Sequence, residues 1–294
     1  MKTNVGFGLA LVTFLLSAPV WADSRTFVSG TGSDYNFCTV SQPCRTFARA
    51  FAETDKGGEI VARDSADYGR VTITRSVTIE AAGVYAGVPV SSQDGITINA
   101  GASDVVILRG LTIYGAGGST GIKFNSGSAL HVENCVINGI DSGTAIDCSS
   151  TVNLFVKDTI IRANESGIVT HAGSMASLER VRLEGNATGI DVDSGVASIS
   201  NSVVSGNTNI GIFATFTAGN PAAGEINVES CLVANNNLGI VSREGATVRL
   251  SNSTVTDNST GLFQGPGSKV LSRVNNTIEG NAAGNTAPGT YSAK

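Results

Sequence analysis

Between residues 167 and 262 single aliphatic residues recur at a fixed place behind a glycine: Gly167-Ile168, Gly189-Ile190, Gly211-Ile212, Gly239-Ile240 and Gly261-Leu262. Gly121-Ile122 joins the series, with a looser member between Gly143 and Ile146, and the spacing is 22 residues except where insertions lengthen it. A second column holds Asn164, Asn186, Asn207, Asn236, Asn258 and Asn281. A third holds Asn134, Asp158, Arg180, Asn201, Ser230, Asn252 and Asn275. Low complexity alone would not hold aliphatic residues in phase with asparagines over seven units, so the chain is an array of small repeats.

Each unit predicts three short strands: the Gly-Ile strand, one ending near Ile199, and one around Val203 and Val204. Period-two alternation sends Ile190 and Val192 inward and Asp191 and Asp193 outward. Stacked units would pair as parallel sheets, so every inward residue would lie on its own equivalent in the next unit. Ile122, Ile146, Ile168, Ile190, Ile212, Ile240 and Leu262 then form one aliphatic stack. The asparagine column is placed at a turn, where Asn tolerates the left-handed conformation and its amide can both donate and accept along the stack.

These columns resemble the right-handed parallel β-helix proteins of the pectate-lyase type, and the resemblance covers nearly all of the chain after its first 22 residues. The implied architecture is all-β, a solenoid of roughly ten coils and ~48 Å in length. Residues 26 to 60, TFVSGTGSDYNFCTVSQPCRTFARAFAETDKGGEI, look like the start of many exported β-helix proteins. They read as a strand, an amphipathic helix with Phe47, Ala50 and Phe51 on one face, and Gly-Gly-Glu-Ile opening the first coil. That helix would cap the open end of the core.

Composition supports the β assignment: 36 Gly, one Trp and 15% charged residues make poor amphipathic helices and good strand-and-turn material. A net charge of −5 with no basic run argues against nucleic acid as a partner. Lys2, the apolar run from Val5 to Val20 and the sequence Val20-Trp21-Ala22 read as a signal peptide cleaved before Asp23, with no membrane span left afterwards. The expected layout is therefore a leader over 1–22, a strand and capping helix over 23–60, the solenoid over 61–284 and a tail over 285–294. Location would be secreted, periplasmic or at the cell surface. Cys38 and Cys44 flank five residues of an exported segment and suit a local disulfide. Cys135 and Cys231 lie four coils and ~19 Å apart, too far to bond, and read with Cys148 as core residues.

In proteins of this type activity, where present, lies on the outer face of one sheet and its neighbouring loops. The first outward column of the Gly-Ile strands is Lys123, Asp147, Val169, Asp191, Phe213, Val241 and Phe263. The second is Asn125, Ser149, His171, Asp193, Thr215, Arg243 and Gly265. Asp147, His171, Asp191 and Asp193 are the candidate catalytic groups, with Asp191 and Asp193 ~7 Å apart along one strand and Asp147 ~9.6 Å below Asp191. His171 and Asp193 are expected to be neighbours. Two carboxyls at such a distance suit inverting glycoside hydrolysis. Alternatively, carboxylates can hold Ca²⁺ against a uronate while a base removes its α-proton, as in a lyase.

Lys123, Phe213, Arg243 and Phe263 are candidate contacts to polysaccharide. The chain departs from the polygalacturonase pattern, offering only Thr170-His171-Ala172-Gly173 as an echo of its Gly-His-Gly, and no lyase set of Asp ligands with an Arg base is recognisable. A polysaccharide-binding and cleaving protein and a non-catalytic surface, adhesion or scaffold protein therefore both remain open at this level.

Overall fold

The computed structural model describes residues 24–292 apart from Ser150 and Pro221, so the expected leader lies outside the described residues. Each coil contributes one strand to each of three sheets, as in Val196–Ser200, Val203–Ser205 and Ile210–Thr215. The first sheet has twelve strands, the second, built from the Gly-Ile strands, nine, and the third ten. Strands pair in parallel with the coil above and the coil below, and the whole is an all-β, right-handed parallel solenoid of about nine turns.

Register follows the columns. Ile146 pairs with Ile168, Ile168 with Ile190, Ile190 with Ile212, Ile212 with Ile240 and Ile240 with Leu262. The stack also extends below Ile122 to Ile96 and Val71, two coils that the 22-residue spacing does not reach. The glycine before most of these isoleucines answers a close approach: a Cβ on Gly189 would stand 2.5 Å from the carbonyl oxygen of Gly211, and one on Gly167 2.3 Å from that of Gly189. Ala145 takes this place before Ile146, fully buried and with the register kept, so that coil admits a methyl group.

The asparagine ladder is present and buried. Nδ2 of Asn164, Asn186, Asn207, Asn236 and Asn258 donates to Oδ1 of the next rung at 2.9, 3.2, 2.8, 2.9 and 2.8 Å. Each Oδ1 also accepts from the backbone N–H of the rung below, as Asn207 does from Asn186 at 3.0 Å. The second amide hydrogen closes the loop, Asn207 donating to the carbonyl of Leu183 at 3.1 Å.

The backbone reason expected for this column is wrong. The left-handed residue is the one before the ladder, such as Asn235 (φ 57°) and Asp257 (φ 55°), and the ladder asparagines are chosen for their amides alone. The third column is the one that needs the left-handed conformation, with Asn134, Asp158, Arg180, Asn201, Ser230 and Asn252 all at φ between 48° and 54°. In the last coil that place falls to Val274 (φ 69°), one residue before Asn275.

Helix Phe47–Glu53 is capped by Thr46, whose side chain accepts from the N–H of Arg49 at 3.1 Å. It buries Phe47, Ala50 and Phe51 against the first strands of the first and second sheets. Phe47 packs on Tyr68 with ring centroids 5.0 Å apart, and the Arg75 guanidinium lies 4.1 Å above Phe51. Cys38 and Cys44 form a disulfide. Cys135, Cys148 and Cys231 are free and buried. Cys135 and Cys231 belong to a further inward column, in which the N–H of Cys135 donates to Thr159 Oγ1 at 3.2 Å and that of Cys231 to Ser253 Oγ at 3.1 Å.

Two outcomes follow. Asn207→Ala strands two Asn186 donors inside the core and leaves Asn236 Oδ1 with the Asn207 backbone N–H alone, so urea unfolding should show a loss of about 2–4 kcal/mol, against less than 0.5 kcal/mol for Ser198→Ala on the outer face. Burial pushes the Cys135 thiol up to about 12 and the Cys231 thiol up to about 11. Native protein should therefore resist alkylation, and mass spectrometry should find Cys135, Cys148 and Cys231 labelled only after denaturation.

Candidate active site

The outer face of the second sheet is assembled from two rows that run along the solenoid. Register puts Thr72, Thr97, Lys123, Asp147, Val169, Asp191, Phe213, Val241 and Phe263 in one file. The neighbouring file begins as a polar ladder, Asn125 donating to Asn99 at 2.9 Å and Ser149 to Asn125 at 3.3 Å. It continues through His171, Asp193 and Arg243.

His171 ends this ladder by leaning across to the first file. Its Nε2 lies 3.0 Å from Asp147 Oδ1, one coil below. The expected neighbour, Asp193, faces elsewhere. Asp193 Oδ1 accepts from the Thr217 N–H at 2.9 Å and from Ser194 Oγ at 2.9 Å, while Oδ2 accepts from Thr217 Oγ1 at 2.8 Å. Asn220 adds a bond to Ser194 Oγ at 2.9 Å. Asp193 thus pins the loop that leaves the next coil's strand at Thr215, and its carboxylate is occupied by that loop. The sequence carried the loop but no signal for which aspartate would hold it.

Asp191 is the unusual group. It is half-buried between Val169 and Phe213, and its Oδ1 is closed off from solvent with no hydrogen-bond partner. Burial, reinforced by the charge of Asp193 and partly offset by His171, pushes its carboxyl up to about 6. It was expected to be freely solvated and is not. A carboxyl that stays protonated in mildly acidic solution, one coil from an imidazole oriented by a second carboxylate, has the parts of an acid–base pair. The Cα atoms of His171 and Asp191 are roughly 8 Å apart by strand and residue spacing, while the imidazole leans toward Asp147, on the side away from Asp191.

Toward the C-terminal coils the Arg243 guanidinium lies 6.0 Å from the Phe213 ring centroid and 5.2 Å from that of Phe263, above a fully buried Val241. The two rings are therefore braced by a cation. Phe263 remains 38% exposed. At the opposite end a cavity of about 360 Å³ is lined by Arg70, Val71, Thr72, Gln93, Asp94 and Thr97. It opens onto the same face and leads through Thr97 to Lys123, which pairs in register with Asp147. This cavity was missed because the early coils depart from the 22-residue spacing, although Gly95-Ile96 repeats the corner motif.

Among the described residues no group of three or more His, Cys, Asp or Glu side chains converges to hold a metal ion. Asp147 is tied to His171 and Asp193 to Thr217, so the residues do not fit the calcium cradle that a lyase reading would require. No helix of the described residues is long and apolar enough to cross a membrane.

The raised carboxyl of Asp191 has a consequence for stability. A group that binds its proton more tightly when folded stabilises the protein below its unfolded value near 4, and that contribution is lost as pH rises through about 6. Asp191→Asn, which removes the ionisation and keeps the shape, should therefore raise the unfolding free energy at pH 7.5 by roughly 1–3 kcal/mol and change it little at pH 4. Equal stability of variant and parent at pH 7.5 would contradict the covered carboxylate.

Residues 94–237 match the family model described as right handed beta helix region. Among solved structures, that of XylC in complex with xylose superimposes with a TM-score of 0.66 at 9% identity, covering 84% of this chain and 68% of that one. Pectate lyase Pel9A gives 0.60 at 16% identity, covering 84% and 74%. The alginate lyase from Paenibacillus sp. str. FPU-7 gives 0.57 at 14% identity, covering 92% and 98%. At these identities the likeness is one of fold. A comparison with curated proteins returned no match.

Proposed function

We propose that this right-handed parallel β-helix, which shares its fold with pectate and alginate lyases, is an exported protein that takes a polysaccharide along the outer face of its second sheet and cleaves it at Asp147, His171 and Asp191. The observation that carries the reading is the His171–Asp147 bond of 3.0 Å beside the covered carboxyl of Asp191. Carbohydrate as the substrate class is supported by the fold neighbours, which include two polysaccharide lyases and a xylose complex. Export is supported by the Cys38–Cys44 disulfide.

In the hydrolytic form of this chemistry Asp191 gives its proton to the leaving glycosidic oxygen as the bond to the anomeric carbon breaks. His171, held through Nε2 by Asp147, takes a proton from the water that attacks that carbon. Inversion requires base and acid to stand far enough apart to admit that water. Phe213 and Phe263 offer ring surface to the sugar C–H faces, and Lys123 and Arg243 offer donors to hydroxyl or carboxylate groups.

A second reading, elimination on a uronate, is favoured by one observation: Lys123 and Arg243 have no carboxylate within 4.0 Å among the described residues, and so can neutralise an acidic sugar. His171 would then take the proton α to the carboxylate, and Asp191 would again protonate the departing oxygen.

Incubation with xylan, polygalacturonate and alginate, with and without chelator, separates these. New reducing ends without ultraviolet-absorbing product indicate hydrolysis, and absorbing product indicates elimination. Turnover should fall as pH rises above about 6, where Asp191 loses its proton. Asp191→Asn and His171→Ala should each lower kcat by roughly 10²–10⁴-fold, while Phe213→Ala should mainly raise KM. Absence of product from every substrate, or full activity in both variants, would leave the non-catalytic scaffold as the better account.

A further inference from the structure

The outer face of the first sheet carries an aromatic feature that the second-sheet site does not use. His131 and Phe155 occupy successive coils of its central outward row, with ring centroids 4.7 Å apart and planes within 13° of parallel. The next two places in that row are Ser177 and Ser198. Two large rings are therefore followed by two small side chains, leaving a step at Phe155, which is 40% exposed. A stack serving only the fold would be covered or continued by its neighbours, whereas this one ends on open surface.

The step has walls. On one side runs the row of Glu133, Lys157 and Glu179, which with His131, Phe155, Val156 and Ser177 encloses a cavity of about 180 Å³. On the other side Met175 and Val196 are 56% and 43% exposed. The charges beside the cavity neutralise one another: Glu133 accepts from Arg109 at 2.6 Å and Glu179 lies 3.5 Å from Lys157. An anionic ligand would find no spare cation there. A protein partner would need roughly 800 Å² of complementary surface on each side, and the charged row breaks up the apolar area.

What the surface offers is one flat ring face, an apolar flank and a rim of hydroxyl, ammonium and carboxylate groups around a small hollow. That set matches a neutral pyranose, whose C–H face stacks on an aromatic ring while its hydroxyls both donate and accept. We infer that Phe155, with His131 behind it and Ser177, Lys157 and Glu179 around it, forms a second glycan-binding site that takes neutral sugar residues. The inference rests on the proposal that the protein engages polysaccharide, and is independent of the acid–base cluster, which lies on another sheet.

Isothermal titration of the full chain with xylohexaose, and with hexagalacturonate of equal length, tests it. Both parent and Asp191→Asn protein are used, so that turnover does not obscure binding. Xylohexaose should bind in both backgrounds. Phe155→Ala should weaken it roughly tenfold and Phe155→Leu should do nearly the same, because the flat face is lost while bulk is kept. Phe155→Tyr should restore it, and Val274→Ala, an exposed apolar change outside both faces, should leave it unchanged, with the thermal midpoint of all four near that of the parent. Unaltered xylohexaose binding by Phe155→Ala, or parent protein that binds only hexagalacturonate, would each overturn the inference. None of these results touches the cleavage reading, which fails on its own terms if the parent yields no product.

Discussion

Everything in this molecule depends on one distance, the spacing of about 4.8 Å between coils set by parallel backbone hydrogen bonds. A chain wound at that pitch places each residue against its own counterpart, so selection acts on columns. Inside, like must tolerate like: isoleucine stacks on isoleucine, and glycine yields to a carbonyl 2.5 Å from where its Cβ would be. A polar side chain that enters the core is satisfied either by backbone groups, as Thr159 and Ser253 are, or by a copy of itself. Asparagine takes the second course because one end of its amide accepts and the other donates, which no carboxylate or ammonium can do. The ladder from Asn164 to Asn281 also binds backbone N–H and carbonyl groups at every rung, so it closes the hydrogen bonding of a turn that would otherwise be left open.

The same rule explains what could be read in advance. Columns that are repeated for a physical reason, Ile190 and its equivalents or Asn207 and its equivalents, were legible because the constraint acts afresh in each coil. The coils before Gly121 were less so. There Val71, Ile96 and Ile122 keep the stack while the turn lengths drift, and a fixed period loses them. The left-handed residue was misassigned for a related reason: Asn is common both where φ is positive and where an amide ladder is needed, and spacing cannot tell the two apart. The structure divides them between Asn134 or Asn201, which bend the chain, and Asn186 or Asn207, which bond along it.

Outside, like must avoid like. Two carboxylates on adjacent coils would repel at about 5 Å, so charged rows either alternate in sign or space their charges out. The first sheet alternates, with Glu80, Arg109, Glu133, Lys157 and Glu179 in register. The second sheet spaces them, setting Val169 between Asp147 and Asp191. The row positions of Asp147, Asp191 and His171 were therefore readable from the register. Their side-chain choices were not, since His171 could turn up or down the row and Asp193 could face solvent or a loop. Those choices depend on Thr217 and Asn220, residues of an insertion that no column governs.

That difference between the faces bears on function more than the fold does. On the first sheet Arg109 answers Glu133 and Lys157 answers Glu179 along one row, and what remains beside them to meet a ligand is ring surface and hydroxyl. On the second, Asp193 is consumed by its loop and Asp147 by His171, whereas Asp191 keeps an oxygen with no partner and Lys123 and Arg243 keep their charge. Burying an unpartnered carboxyl works against folding, and no feature of the solenoid requires it: the equivalent places on neighbouring coils are filled by Val169 and Phe213 without strain on the register. A group that is both unfavourable to stability and dispensable to architecture is most economically explained by what it does to a bound molecule.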